Sequence, residues 1–346
     1  MLLSTRRLLA QLLIAGGFVL VSTLQVWAAC DLPPFKSNER PTVDDGPTRV
    51  TASIIVGDLM GVDDVNQQLD IDLLVRLEWT DPRLADLEGC RFPVTSVWAP
   101  RATLFNSANL RRARVNAQAQ VEIGPEGLVI YKNRFTGLIS SYHNLRKFPF
   151  DRHDFLLEIG TIEIPVEEMV FVPDVERTWI SDRLNVEGWS VEGIGIRSEP
   201  QVLKNEGVEV SVLTLTISAS RDAEYYVFRV LAPLFLVVAM SWCIFWIPPD
   251  RFEFQIGLGA TSMLTSIAFS LSLASQLPTL GYLTVLDKML IWSIVLVFLS
   301  IVQALVSGRM VMKDKVEAAR NLDRKCRYLF PAAFFLGWLS FYLSVV

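Results

Sequence analysis

The chain holds only two histidines, His143 and His153, and four cysteines in 346 residues. Two histidines give no sign of a histidine-rich metal site, and four cysteines are too few for a small fold stapled by disulfides. There is no phosphate-cradling glycine loop, no metal-ligand spacing, and no Ser or Cys nucleophile at a recognisable distance from a histidine. An enzyme therefore finds no support, and no cofactor is expected. Positive charge is not in excess either: the formal net charge is −5, which speaks against nucleic acid as a partner. Charge is missing altogether from 254–276 and scarce after 225, whereas 30–220 carry frequent charges, prolines and turn residues. With 51% hydrophobic residues, the chain is too apolar for an ordinary soluble protein and long enough for two domains. The shift in composition divides it into 30–221 and 222–346.

Residues 1–29 read as a signal peptide: Arg6 and Arg7, an apolar stretch from Leu8 to Val26, then Trp27-Ala28-Ala29. The alternative is an uncleaved first helix, which Gly16, Gly17, Ser22, Thr23 and Gln25 make a poor one. Either way 30–220 crosses the membrane. Cys30 and Cys90 then share an oxidising compartment, where a single bridge between them is open to the chain. Cys243 and Cys326 fall in or beside membrane segments.

The exported half is written in period two. Leu69, Ile71, Leu73, Val75, Leu77 and Trp79 share one face, and Asp70, Asp72, Leu74, Arg76 and Glu78 the other, the pattern of a half-buried strand. Similar runs cover 49–56, 115–123, 128–135, 155–164 and 208–217. The last carries a phase slip near Val212-Leu213, as a bulge would give. Gly124-Pro125-Glu126-Gly127 suits a hairpin loop. Many short strands at this spacing predict a sandwich. The expected fold class is β + α: an immunoglobulin-like β-sandwich followed by a four-helix transmembrane bundle.

Four apolar segments follow, at about 225–247, 254–276, 282–306 and 328–346, each of about 20 residues or more and so able to span ~30 Å of hydrocarbon. Pro248-Pro249-Asp250 and Leu277-Pro278 turn the chain between them. A linker at 307–325 holds Arg309, Lys313, Lys315, Arg320, Arg324 and Lys325, with Arg327 beyond it, and belongs on the cytoplasmic side. The C-terminus then returns to the side of the exported domain.

The second segment is rich in hydroxyls. Such groups bond back to the helix, face water or pack against neighbouring helices. At spacings of four and three, one face reads Glu253, Gly257, Thr261, Leu264, Ala268, Leu271, Ser275. Repeated around a symmetry axis, it makes a ring of carboxylates, a hydroxyl ring and a dry collar at Leu264, Ala268 and Leu271. A charged ring concentrates cations and an apolar collar blocks flow by dewetting. Glu253 carries the selectivity expectation, because an acid at the membrane edge is expensive; an ordinary solvated acid paired with Arg251 is the alternative.

Five motifs occur in order. They are Trp79-Thr80-Asp81-Pro82-Arg83-Leu84; Trp98-Ala99-Pro100 with Phe105-Asn106; Phe148-Pro149-Phe150-Asp151; Arg221 before Tyr225-Tyr226 and Pro233; and Leu277-Pro278. Together they resemble the Cys-loop receptor superfamily of pentameric ligand-gated ion channels in its prokaryotic form, over nearly the whole mature chain. The resemblance implies a homopentamer around a central pore, in contact with lipid in a bacterial inner membrane. Its multi-pass topology would leave the N-terminal domain and C-terminus periplasmic. Monovalent cations would permeate, and an unidentified small agonist or protons would gate. It also implies a coupling element at the base of the sandwich, from Asp63 or Asp64, Asp151 and Arg221.

The departures matter as much. Ser141 and Phe155 stand where animal receptors place the two cysteines of the signature loop. Ile162 and Leu74 stand at aromatic positions of the binding box, and 199–210 hold no aromatic residue. A quaternary ammonium needs aromatic faces, so acetylcholine-like agonism is not expected. Phe105, Tyr131 and Arg134 are the candidate ligand contacts, with packing and surface roles as the alternative. Gating by protons through His153 or the acids is the other route. A membrane-anchored sensor or assembly protein without a pore remains the competing function; it gives no reason for the ordered face from Glu253 to Ser275.

Overall fold

A computed structural model describes residues 30–41, 46–109, 119–181, 184, 186–203, 207–274 and 280–344. The expected signal peptide at 1–29, Ser275 and Leu277-Pro278 lie outside them. The described strands are β1 (Thr48–Asp63), β2 (Gln68–Thr80), β3 (Arg91–Pro93), β4 (Thr103–Leu104), β5 (Ser107–Asn109), β6 (Gln120–Ile123), β7 (Leu128–Ser140), β8 (Arg152–Gly160), β9 (Met169–Pro173), β10 (Trp179–Ile180), β11 (Trp189–Leu203) and β12 (Val208–Arg221). One sheet runs β10-β1-β2-β7-β6-β3, with β5 on β7 and β9 on β1; the other runs β11-β12-β8-β4. The alternation read along β2 is the one the fold uses: Leu69, Ile71, Leu73, Val75, Leu77 and Trp79 are all buried. Trp79 meets Trp98 edge to face at 5.8 Å, a geometry favoured by the ring quadrupoles.

The phase slip near Val212-Leu213 is not a bulge. The pairing of β12 with β8 is continuous from Val212 to Ser220, and the register shift against β11 lies between Val191 and Gly193. Residues 210–215 are instead buried on both faces, where apolar side chains no longer need to alternate. Ser211 survives there because its hydroxyl accepts from the Phe171 amide at 2.9 Å.

Local chemistry explains one of the motifs. Asp81 is fully buried; its side chain caps the Arg83 amide at 3.1 Å and holds the Arg83 guanidinium at 2.8 Å. Pro82 begins the short helical turn that follows, a position that loses nothing by lacking an N–H. Cys90 is bonded to Cys30, tying the start of the described chain to the sandwich.

Four long helices follow among the described residues: α1 (Glu224–Trp246), α2 (Phe252–Ala274), α3 (Val285–Val311) and α4 (Val316–Leu343). Each is long and apolar enough to cross a membrane. The expected linker at 307–325 is mostly helical, leaving four residues, 312–315, between α3 and α4. Hydropathy marks where the hydrocarbon ends, not where the helix does; Arg320, Arg324, Lys325 and Arg327 favour helix and simply lie beyond the apolar span.

The two halves meet through the loop between β7 and β8. Leu145 and Phe148 are buried in the same apolar cluster as Leu286, Met289 and Val230 of the helices. The Leu145 amide donates to the Tyr282 hydroxyl at 3.0 Å, and the Leu286 amide to the Phe148 carbonyl at 3.2 Å. Phe150 packs on Tyr342, and Phe148 on Tyr226.

The hairpin at 124–127 yields a test of the sandwich. Gly127 has φ +75° and its missing Cβ would fall on the Asp81 carbonyl. Gly127→Ala is expected to destabilise the protein by at least about 2 kcal/mol. Gly193→Ala, with nothing within 4 Å of its added carbon, should melt close to the parent protein. Thermal unfolding of the detergent-purified protein measures both.

Candidate functional site

β12 ends on Arg221 at the base of the sandwich, three residues before α1. Its guanidinium donates to Asp64 at 2.7 and 2.9 Å and to Asp151 at 2.9 and 3.1 Å. Asp64 comes from the β1–β2 turn and Asp151 from the end of the β7–β8 loop, so one cation closes three chain segments. Arg221 and Asp151 side chains are 4% and 1% exposed, and that of Asp64 15%. The guanidinium also lies over the rings of Trp189 at 4.2 Å and Phe148 at 4.8 Å, where a desolvated cation gains most from an aromatic face.

Of the two acids expected in the turn, Asp64 joins Arg221. Asp63 instead holds the Asn66 amide and side chain at 2.9 and 2.7 Å, so it is corrected from coupling acid to turn cap. Two histidines join the cluster, of which the sequence offered His153 only as a route for proton gating and His143 for no role. His143 Nε2 lies 3.0 Å from Asp64 and His153 Nε2 lies 2.7 Å from Asp151. The strand period could have found His153, which shares an inward face with Phe155 and Leu157 of β8. His143 follows β7 in a loop, where no period applies.

The electrostatics follow from this packing. Burial alone would raise the Asp64 carboxyl, but hydrogen bonds from His143 and Arg221 and the arginine's charge outweigh it and lower it to about 2. Asp151 is likewise lowered against its burial by His153 and Arg221, and Arg221 is raised by its two carboxylates.

The candidate ligand contacts do not share a pocket. Tyr131 is buried in the sandwich core, paired across strands with Leu77 and Val121. Arg134, three residues on, points to the opposite face of β7 and is paired with Asp72. The Phe105 ring covers Gly160 of β8, in the other sheet. Tyr131 is corrected to a packing residue, because strand alternation turns it inward.

On α2 the buried face is Gln255, Gly259, Ser262 and Ser266. Gly259 fits because a Cβ there would come within 2.6 Å of Ile301 on α3. Gln255 donates to the Ile244 and Ile247 carbonyls at 3.2 and 2.9 Å, anchoring the helix start. The opposite face, uncovered by the chain's own helices, carries Glu253, Gly257, Thr261, Leu264, Ala268 and Leu271; Leu264 and Leu271 are 71% and 69% exposed. The Thr261 hydroxyl bonds back to the Gly257 carbonyl at 2.9 Å.

The cluster makes a signed prediction. An acid lowered from 3.8 to about 2 contributes stability, about 2 kcal/mol, that is complete above about pH 4 and lost as pH falls towards about 2. Asp64→Asn should remove it at neutral pH and flatten that acid limb. Arg221→Gln, which strands two buried acids, should cost ~3–5 kcal/mol. Melting temperatures across pH check both, and an unaltered acid limb in Asp64→Asn contradicts the assignment.

Comparison with known proteins supplies the context. The ligand-binding domain family of neurotransmitter-gated ion channels matches residues 31–219, and the transmembrane-region family of the same channels matches 230–311. A protein of Gloeobacter violaceus described as a proton-gated ion channel is 23% identical over 303 residues, covering 86% of this chain and 83% of its own length. The human gamma-aminobutyric acid receptor subunit gamma-3 is 24% identical over 271 residues, covering 76% of this chain and 58% of its own length. The chicken gamma-4 subunit is 25% identical over 279 residues, covering 79% and 61%. This chain thus spans less than two thirds of those receptor subunits. A β-sandwich seated through its β7–β8 loop on four membrane-length helices, matched by both family halves in chain order, belongs to the neurotransmitter-gated ion-channel family: the chain is a member of that family of ligand-gated channels and not an enzyme.

Proposed function

We propose that the chain is one of five identical subunits of a cation-selective channel in a bacterial plasma membrane, with the sandwich on the periplasmic side and residues 1–29 removed on export. α2 lines the pore. The carrying observation is its uncovered face, ordered from Glu253 through Gly257 and Thr261 to Leu264, Ala268 and Leu271. Five copies of Glu253 at the entrance of the α2 helices concentrate cations by their summed field. Leu264, Ala268 and Leu271 form the apolar collar that empties of water when the pore is shut.

Arg221 transmits the opening signal. It leads into α1 while its side chain is held by the β1–β2 turn and the β7–β8 loop, so a shift of either loop moves the head of α1. The stimulus is a small molecule or a proton acting on the sandwich. The name of the Gloeobacter relative favours the proton, as does the separation of Phe105, Tyr131 and Arg134, which leaves no common contact for one ligand within a subunit.

Planar-bilayer recording of the purified protein tests the reading. Glu253→Gln is expected to lower the cation-to-anion permeability ratio by at least about threefold, seen as a reversal potential moving towards zero in a salt gradient; an unmoved reversal potential refutes the selectivity role. Leu264→Ser, which wets the collar, should raise current in the absence of stimulus. No conductance under any condition would favour a poreless anchor.

A further inference from the structure

The chain's only two histidines come from a loop and a strand, yet their rings lie 4.8 Å apart between centroids. Their side chains are 2% and 9% exposed. Phe155 and Trp189 close the apolar side, with Phe155 within 6.0 Å of His143 and Trp189 within 5.7 Å of His153. Each Nε2 reaches one carboxylate of the Arg221 cluster.

The charged and titratable groups around the pair are few. Asp64 comes from the β1–β2 turn, Asp151 from the β7–β8 loop and Arg221 from β12, and the phenol of Tyr226 on α1 lies against Arg221. The neighbouring charges are engaged elsewhere: Asp63 with Asn66, Arg152 with Glu192, Asp154 with Ser218 and Asp222 with Ser190. With neutral histidines the cluster holds two carboxylates against one guanidinium, a net charge of one negative unit; one added proton neutralises it.

The hydrogen-bond inventory limits where that proton can go. A carboxylate only accepts, so neutral His143 must carry its hydrogen on Nε2, facing Asp64. Its Nδ1 is buried and, among the described residues, has no partner. A proton there creates a buried N–H donor with no acceptor in this arrangement, an unfavourable state that rearrangement would relieve. It also places a second cation on the carboxylate that Arg221 already grips with two nitrogens. Two imidazoliums at this separation would repel each other.

We infer that His143 and His153 together form the proton-binding site of this channel. Uptake of one proton from water by the pair sets a histidinium in competition with Arg221 for Asp64 and Asp151, loosening the hold on the head of α1. The inference rests on the channel reading above and names its stimulus and its site. Imidazole suits the task because its ordinary titration falls within about pH 5 to 8.

Two histidines in the whole chain make the test direct. Full-length protein carrying 15N-histidine, reconstituted in lipid, shows two ring systems by solid-state NMR. Between about pH 8 and about pH 5, at least one ring is expected to pass from the Nε2–H form to imidazolium. Replacing its neighbour, in His143→Gln or His153→Gln, should move that transition by at least about half a pH unit. Rings that stay neutral throughout, or that titrate identically with and without the neighbour, overturn the proposal. In bilayers the same pH step should change the parent's open probability by about tenfold or more, and the double glutamine variant should respond less than about twofold. A double variant with the full response also overturns it. Coupled titration without current at any pH would count against the channel reading alone and leave the proton site standing.

Discussion

The structure turns on one buried guanidinium. Arg221 is the last residue of β12 and stands three residues before α1, and its side chain is the only point at which the β1–β2 turn and the β7–β8 loop share a partner among the described hydrogen bonds. A buried arginine is tolerable only when its donors are met and its charge balanced. Two carboxylates and two aromatic faces do this here. The arrangement favours one geometry of three loops over any other, since displacing a single loop leaves a buried charge unmatched.

The rest of the seam supports that cation rather than duplicating it. The Phe148 ring covers Arg221 while its backbone carbonyl accepts from α3, so the residue that shields the charge also fastens the sandwich to the bundle. The Trp189 ring covers it as well and packs against Phe155 and His153. The electrostatic knot and the apolar plug are therefore one unit, sharing side chains.

Much of this was legible in the sequence. The strand period of β2, the four apolar spans and the order of residues on α2 rest on periodicity, which survives whatever the tertiary contacts are. Asp151 and Arg221 were reached by resemblance of motif. What escaped has a common cause: it depends on where loops travel. His143 and the choice of Asp64 over its neighbour Asp63 sit in turns, where no repeat constrains direction. Tyr131, offered as a ligand contact with packing as the alternative, takes the packing role, as the inward phase of β7 would indicate. The extent of α3 and α4 was underestimated for the opposite reason, since charge was read as the end of a helix when it marks only the end of the hydrocarbon.

The seating of Leu145 and Phe148 among the helix side chains means that the division of the molecule in sequence is not its division in space. A cut at Arg221 would separate the chain into a soluble piece and a membrane piece on paper, yet the soluble piece would carry away part of the bundle's interior and display it to water. Exchange of sandwiches between related bundles must then respect a boundary that runs through the β7–β8 loop, with the loop's tip matched to the recipient helices. Modularity in this architecture is set by which side chains are buried together, and the peptide bond at the domain junction is a poor guide to it.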